Sequence, residues 1–343
     1  MRAFLILALC QAVFGQQYYR LGSGSRYTYS DQIASEIRNL TQTWTPGNNP
    51  MPLTHYRVGS LAPQPQHRLP EGMLLLKVNQ DIELPENFDA RQQWPQCKSI
   101  RTVRNQGCCG SCFAVSATST MTDRWCIHSQ DHETFEFGSI DVLSCCTECG
   151  DGCQGGFLPQ TWKYWVRRGI SSGGAYGSNQ GCHPYPFTTC QSEDEEDVAP
   201  RCKRTCNSAY NVTKAVDDRR FGRSAYTIPR DERKIMEEIY VGGPVQASFS
   251  VFLDFKSYKS GVYRHVWGPH EGYHAIKIVG WGVENIKSVP VKYWLVSNSW
   301  GQDWGENGFF RIVRGEDHLG IESEVTAGMP HYSKHLKLQG LDW

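Results

Sequence analysis

Three residues far apart in this chain form a set that could break an amide bond. Cys112 closes the stretch Gln106-Gly107-Cys108-Cys109-Gly110-Ser111-Cys112 and leads into the apolar run Phe113-Ala114-Val115. Glycine and serine punctuate the approach, and the run beyond reads as a buried helix over 112–126. Cys112 therefore falls at a helix N-terminus, where unpaired N–H groups and the helix dipole favour a thiolate. A thiolate nucleophile needs a proton acceptor, and a histidine oriented by a third group serves. His274 lies in the apolar run Gly272-Tyr273-His274-Ala275-Ile276, and Asn298 follows in Val296-Ser297-Asn298-Ser299-Trp300. Cysteine, histidine and asparagine, in that order, suit a thiol triad for acyl transfer. Taken singly, each has a plainer reading: a core or disulfide cysteine, a structural histidine, an Asn-Ser turn. Cys109-x-x-Cys112 could also be a redox pair, but that motif follows a strand in a compact α/β unit, which this context does not supply.

The elements that must position these residues divide the chain. From Leu84 to about Cys206 the sequence is rich in cysteine and glycine, with helical stretches at 112–126 and Pro159–Val166. From about Tyr210, β-branched and aromatic runs dominate, as in Tyr273–Trp281 and Lys292–Asn298, with a short helix at Asp231–Tyr240 before a strand at Pro244–Phe252. The expected class is α+β, with a helical lobe over about 84–206 and a β-rich, barrel-like lobe over about 207–330. The cysteine comes from the first lobe and the histidine and asparagine from the second. The site then lies in the cleft between them, a common place for a substrate groove.

The 343 residues carry 35 basic and 35 acidic side chains, a balance that gives no argument for nucleic acid or an anionic membrane. Fourteen cysteines point to an oxidising compartment. Residues 1–15, from Met1-Arg2 through an apolar run to Val13-Phe14-Gly15, read as a secretory signal, and no later run is long enough to span a bilayer. Residues 16–83 contain no cysteine. Ser30-Asp31 can cap a helix carrying Ile33, Ile37 and Leu40, which Trp44-Thr45-Pro46-Gly47 ends; Pro63, Pro65 and Pro70 then force an extended chain. This reads as a removable pro-segment before a body over 84–343, with a disordered extension as the alternative. Asn39-Leu40-Thr41 and Asn211-Val212-Thr213 are glycosylation sequons. The expected location is the secretory route, lysosomal or extracellular.

Over residues 84–330 the three separated motifs resemble the papain-like cysteine proteases, and within them the cathepsin B type. The resemblance implies a two-lobed fold, an endopeptidase acting on peptides or proteins with no cofactor, a pro-segment lying backwards through the cleft as inhibitor, and protein inhibitors of the cystatin type as partners. It makes Cys112 the nucleophile, His274 its partner in an ion pair and the proton donor to the leaving amine, and Asn298 the orienter. Gln106 offers its side-chain N–H, with the Cys112 backbone N–H, to the oxyanion. Trp300 would shield the His274–Asn298 hydrogen bond. Gly155-Gly156 would pair with an extended peptide, Phe157, Leu158, Ser248 and Ala275 would line the main specificity pocket, and Glu324 would stand at its floor and admit a basic residue. The implied disulfides are Cys97–Cys126, Cys109–Cys153, Cys145–Cys202, Cys146–Cys149 and Cys182–Cys206. The cluster Cys145, Cys146, Cys149, Cys153 could instead bind zinc, which in a secreted chain loses to disulfides.

The sequence departs from the family pattern in several places. Phe113 stands for Trp or Tyr, Tyr273 for glycine, and His274 lies 162 residues after Cys112, beyond the usual spacing. Between Cys190 and Cys202 the cathepsin B type carries two histidines that grip a terminal carboxylate. Here Gln191-Ser192-Glu193-Asp194-Glu195-Glu196-Asp197 stands there, and the acid that anchors the loop is Asn105. Exopeptidase activity is therefore not expected. Cys108 replaces a serine, and Cys108 and Cys190 are left over. They either bridge to each other and tether the loop, or Cys190 pairs with Cys202 and leaves Cys108 and Cys145. The segment Trp44–Ser60 is also similar to that of tubulointerstitial nephritis antigen-like proteins, so a matrix or binding protein on a protease fold is the alternative function.

Overall fold

The computed structural model describes residues 34–49, 56–62, 73–76, 82–129, 133–190 and 197–331. The signal sequence, the capping pair Ser30-Asp31 with Ile33, the prolines 63, 65 and 70, and Gln191–Glu196 lie outside the described residues. Among the described residues no helix is long and apolar enough to cross a membrane.

The helices are α1 (34–40), α2 (Ala90–Gln93), α3 (Cys112–His128), α4 (Ser139–Cys145), α5 (Leu158–Arg168) and α6 (Glu232–Gly242). Helix α3 is buried on every face from Cys112 to Cys126, which is why its sequence shows no polar stripe. Asp231 caps α6 by accepting from the Lys234 N–H.

The strands are β1 (Trp44–Pro46), β2 (Leu74–Leu75), β3 (Phe88–Asp89), β4 (Gly222–Ile228), β5 (Val245–Phe252), β6 (Tyr258–Tyr263), β7 (His270–Ile286), β8 (Val289–Ser297), β9 (Phe309–Val313) and β10 (Val325–Pro330). They form one sheet in the order β1-β6-β9-β8-β7-β5-β10-β4-β2, with β3 beside β7. Helices beside a large mixed sheet make the class α+β.

Three details differ from the sequence reading. Trp44-Thr45-Pro46, read as a helix stop, pairs antiparallel with β6 at the sheet edge, where a proline is tolerated. Trp44 is buried among Tyr258 and Tyr263, while Leu40 is 51% exposed and the buried face of α1 is Ala34 and Ile37. Strand β7 runs beyond Trp281 into a two-residue hairpin at Lys287-Ser288, both at positive φ, without the Asn-Gly signal that usually marks such a turn. The lobes also do not divide cleanly at 206. Phe88, Cys97 and Ile100 pack in the β-rich core with Trp281, and β3 pairs with β7. The second core, around Phe113, Trp125, Trp162 and Trp165, belongs to the helices.

Candidate active site

Helix α3 and strand β7 meet where Cys112 begins the helix. The Ala275 N–H lies 3.3 Å from Cys112 Sγ, which brings the backbone next to His274 onto the sulfur. His274 Nε2 is 2.8 Å from Asn298 Oδ1, just past the end of β8. Asn298 Oδ1 also accepts from the Ser299 N–H, so Nε2 carries the proton and donates. That tautomer leaves Nδ1 as a bare acceptor, and it is buried with no protein partner. The Trp300 ring stacks on the imidazole, centroids 4.8 Å apart, and covers the His274–Asn298 pair.

All three side chains are buried, and burial shifts the two that titrate. Burial pushes the Cys112 thiol up to about 12, against the N–H groups of Ala275 and Gly59, which favour the thiolate. Burial likewise pushes His274 down to about 4, although the bond to Asn298 favours the cation. Desolvation opposes the helix N-terminus at both groups and favours the neutral thiol and the neutral imidazole in this covered form.

The cover is residues 56–62. Gly59 donates its N–H to Cys112 Sγ at 3.2 Å. Its carbonyl accepts from Gly156 at 3.2 Å, Ser60 donates to the Tyr273 carbonyl at 3.1 Å, and Leu61 donates to the Gly156 carbonyl at 3.0 Å. Ser60 runs parallel to Gly156 and antiparallel to Tyr273. Tyr56 packs on Trp300, whose indole N–H donates to the Arg57 carbonyl at 2.9 Å. The group of this segment bonded to the sulfur is a backbone N–H. No residue type announces the Arg57, Gly59 and Tyr273 backbone contacts, and the sequence reading had no residue-level signal for them.

Gln106 is fully buried. Its Nε2 donates to the Cys109 carbonyl at 2.9 Å and to the Arg57 carbonyl at 3.3 Å, while Ser299 Oγ donates to its Oε1 at 2.6 Å. Ser299 thus fixes which end of the amide faces the groove. Its role was missed, and its place directly after Asn298 was the signal available.

Gly156 lies so close to the Phe113 ring that a Cβ there would stand 2.6 Å from two ring carbons, which only glycine avoids. Ser248 and Ala275 are opposite each other across β5 and β7, and Ser248 Oγ donates to the Glu324 carboxylate at 2.9 Å. Leu158 is buried and Phe157 half-buried at the start of α5, beside Gly155. The structure pairs Cys97–Cys126, Cys109–Cys153, Cys145–Cys202, Cys146–Cys149 and Cys182–Cys206. It also pairs Cys108 with Cys190, Cα atoms 5.0 Å apart. Cys112 is the one free cysteine among the described residues. The sulfurs weighed as zinc ligands, and Cys109 of the possible redox pair, are thus engaged elsewhere. Asn39 and Asn211 are exposed.

A model of the papain family cysteine protease matches residues 84–329. The chain belongs to the papain family. It is 47% identical over 258 residues to a cathepsin B-like cysteine proteinase of Schistosoma japonicum, covering 73% of this chain and 74% of that one. A gut-specific cysteine proteinase of Caenorhabditis elegans is 47% identical over 247 residues, 71% of this chain and 73% of the relative. Among solved structures, proCathepsin B S9 from Trypanosoma congolense aligns with TM-score 0.74 and 33% identity, over 89% of this chain and 98% of that one. This papain-family chain is a cysteine-type peptidase of the cathepsin B-like kind, with the two-lobed fold of its proenzyme relatives.

Proposed function

We propose that the protein is an endopeptidase made as a zymogen in the secretory pathway, lysosomal or extracellular, with residues 1–15 as signal, 16–83 as pro-segment and a mature enzyme starting near Leu84. The observation that carries this reading is the meeting of Cys112, His274 and Asn298 under a reversed segment that hydrogen-bonds to the sulfur itself. Removing residues 56–62 returns water to the groove and lifts the desolvation that holds thiol and imidazole neutral. The proton then passes from Cys112 Sγ to His274 Nδ1, giving a thiolate–imidazolium pair. The thiolate attacks the peptide carbonyl carbon, and the oxyanion takes hydrogen bonds from Gln106 Nε2 and the Cys112 N–H. The imidazolium gives its proton to the leaving amine as the C–N bond breaks. A water, deprotonated by the same nitrogen, then hydrolyses the thioester.

Substrate would run opposite to residues 56–62, against Gly155 and Gly156, with the second residue before the cut between Phe157, Leu158, Ala275, Ser248 and Glu324. Glu324 supports acceptance of arginine there. The acidic run Glu193–Asp197 repels a terminal carboxylate, so internal cuts dominate over release of C-terminal dipeptides. Cystatin-type proteins are the expected inhibitors. A cysteine-directed epoxide, added after acid activation, should modify Cys112, read by peptide mass mapping. Active protein that leaves Cys112 unmodified would overturn the reading.

A further inference from the structure

The two proposed oxyanion donors stand at opposite ends of one turn, Gln106 before it and the Cys112 N–H after it. One hydroxyl touches both ends. Tyr185 Oη donates to the Gln106 carbonyl at 2.8 Å and lies 2.6 Å from Ser111 Oγ. The tyrosine has one proton and a carbonyl can only accept, so Ser111 must donate to Tyr185. Ser111 in turn holds α3, since its carbonyl accepts from the Ala114 and Val115 N–H groups. Gln106 and Ser111 are fully buried and Tyr185 is 7% exposed, so water does not replace either bond.

The chain around Tyr185 is itself fastened to the same turn. Cys190 is disulfide-bonded to Cys108, Asn105 Nδ2 donates to Thr189 Oγ1 at 3.3 Å, and a Cβ on Gly107 would stand 2.9 Å from the Thr188 carbonyl carbon. We propose that Tyr185 is a positioning residue for the oxyanion site: its hydroxyl fixes the spacing between Gln106 and the Cys112 N–H. Tyr185 touches neither substrate nor the reacting atoms. The inference rests on the reading of Gln106 and the Cys112 N–H as oxyanion donors.

The test is Tyr185→Phe in the activated enzyme, which keeps the ring packed on Phe187, centroids 5.3 Å apart. Oxyanion stabilisation acts on the transition state more than on bound substrate, so kcat should fall about tenfold while KM changes less than about twofold. Alkylation of Cys112 by iodoacetamide develops no oxyanion on a peptide carbonyl, and its rate should stay within about twofold of the unaltered protein. Ser111→Ala, which removes the other half of the clamp, should lower kcat in the same direction with alkylation again preserved. Unchanged kcat in a folded Tyr185→Phe or Ser111→Ala variant overturns the proposal. Equal losses in hydrolysis and alkylation also overturn it, since they mark general loosening of α3. Unchanged kcat in a folded Gln106→Ala variant would instead overturn the underlying oxyanion reading, independently of Tyr185.

Discussion

Latency should hinge on Gly59, and Gly59→Ala is the perturbation that isolates it. A Cβ at this position would stand 2.5 Å from the Gly110 Cα and closer still to its carbonyl, a backbone that is buried and cannot step aside. The residue must therefore lift away, and with it go its own bonds to Cys112 Sγ and the Gly156 N–H. Overpacking of this kind costs about 1–3 kcal/mol and each of the two lost hydrogen bonds about 1 kcal/mol, so about 3 kcal/mol is the low end of the total. The open form of the proenzyme then rises about a hundredfold, since each ~1.4 kcal/mol is a factor of ten. The assay is the second-order rate of epoxide labelling at Cys112 in intact proenzyme at neutral pH. Gly47→Ala is the control, because a Cβ there meets no backbone atom, only Lys259 side-chain carbons from 3.1 Å, a far milder contact. Gly59→Ala proenzyme that labels as slowly as Gly47→Ala would refute the steric account of latency.

Acid should loosen the same proenzyme. The His274 pKa falls from its ordinary 6.5 to about 4 on burial, so its stabilising contribution is complete above pH 6.5 and is lost as pH falls toward 4. The loss over that window is about 3 kcal/mol. Tm of the Cys112→Ser proenzyme, which cannot process itself, should drop through it, and His274→Gln should flatten the slope. His318, also held down to about 4, will keep part of it. An unchanged slope in His274→Gln would count against this. Glu324→Ala in the activated enzyme should lose kcat/KM about tenfold or more on substrates with arginine two residues before the cut, while phenylalanine substrates change little; equal losses would mean the carboxylate does not meet the substrate.

Cys112, His274 and Asn298 were legible in the sequence because the chemistry demands those residue types and glycine, serine and apolar runs mark their elements. The helices at Cys112 and Leu158, the strand through His274 and the strand that ends just before Asn298 followed from the same patterns. What was not legible was set by backbone groups or by packing between distant segments. The Arg57 carbonyl on Gln106 and the Gly59 N–H on Cys112 have no side-chain signature. Tyr185 reads as an ordinary core aromatic until its hydroxyl is seen between Gln106 and Ser111. The burial that opposes a thiolate at the helix end was hidden for a related reason, since a segment that bonds to Cys112 comes from 53 residues upstream.

The most direct measurement compares activated protein with Cys112→Ala on an internally quenched peptide, with products identified by mass spectrometry. The account predicts cuts at internal bonds by the unaltered protein and a loss of at least about a thousandfold in kcat/KM for the variant, which keeps its fold. Hydrolysis by pure Cys112→Ala at the unaltered rate would contradict it, because no other described cysteine has a free sulfur to take its place.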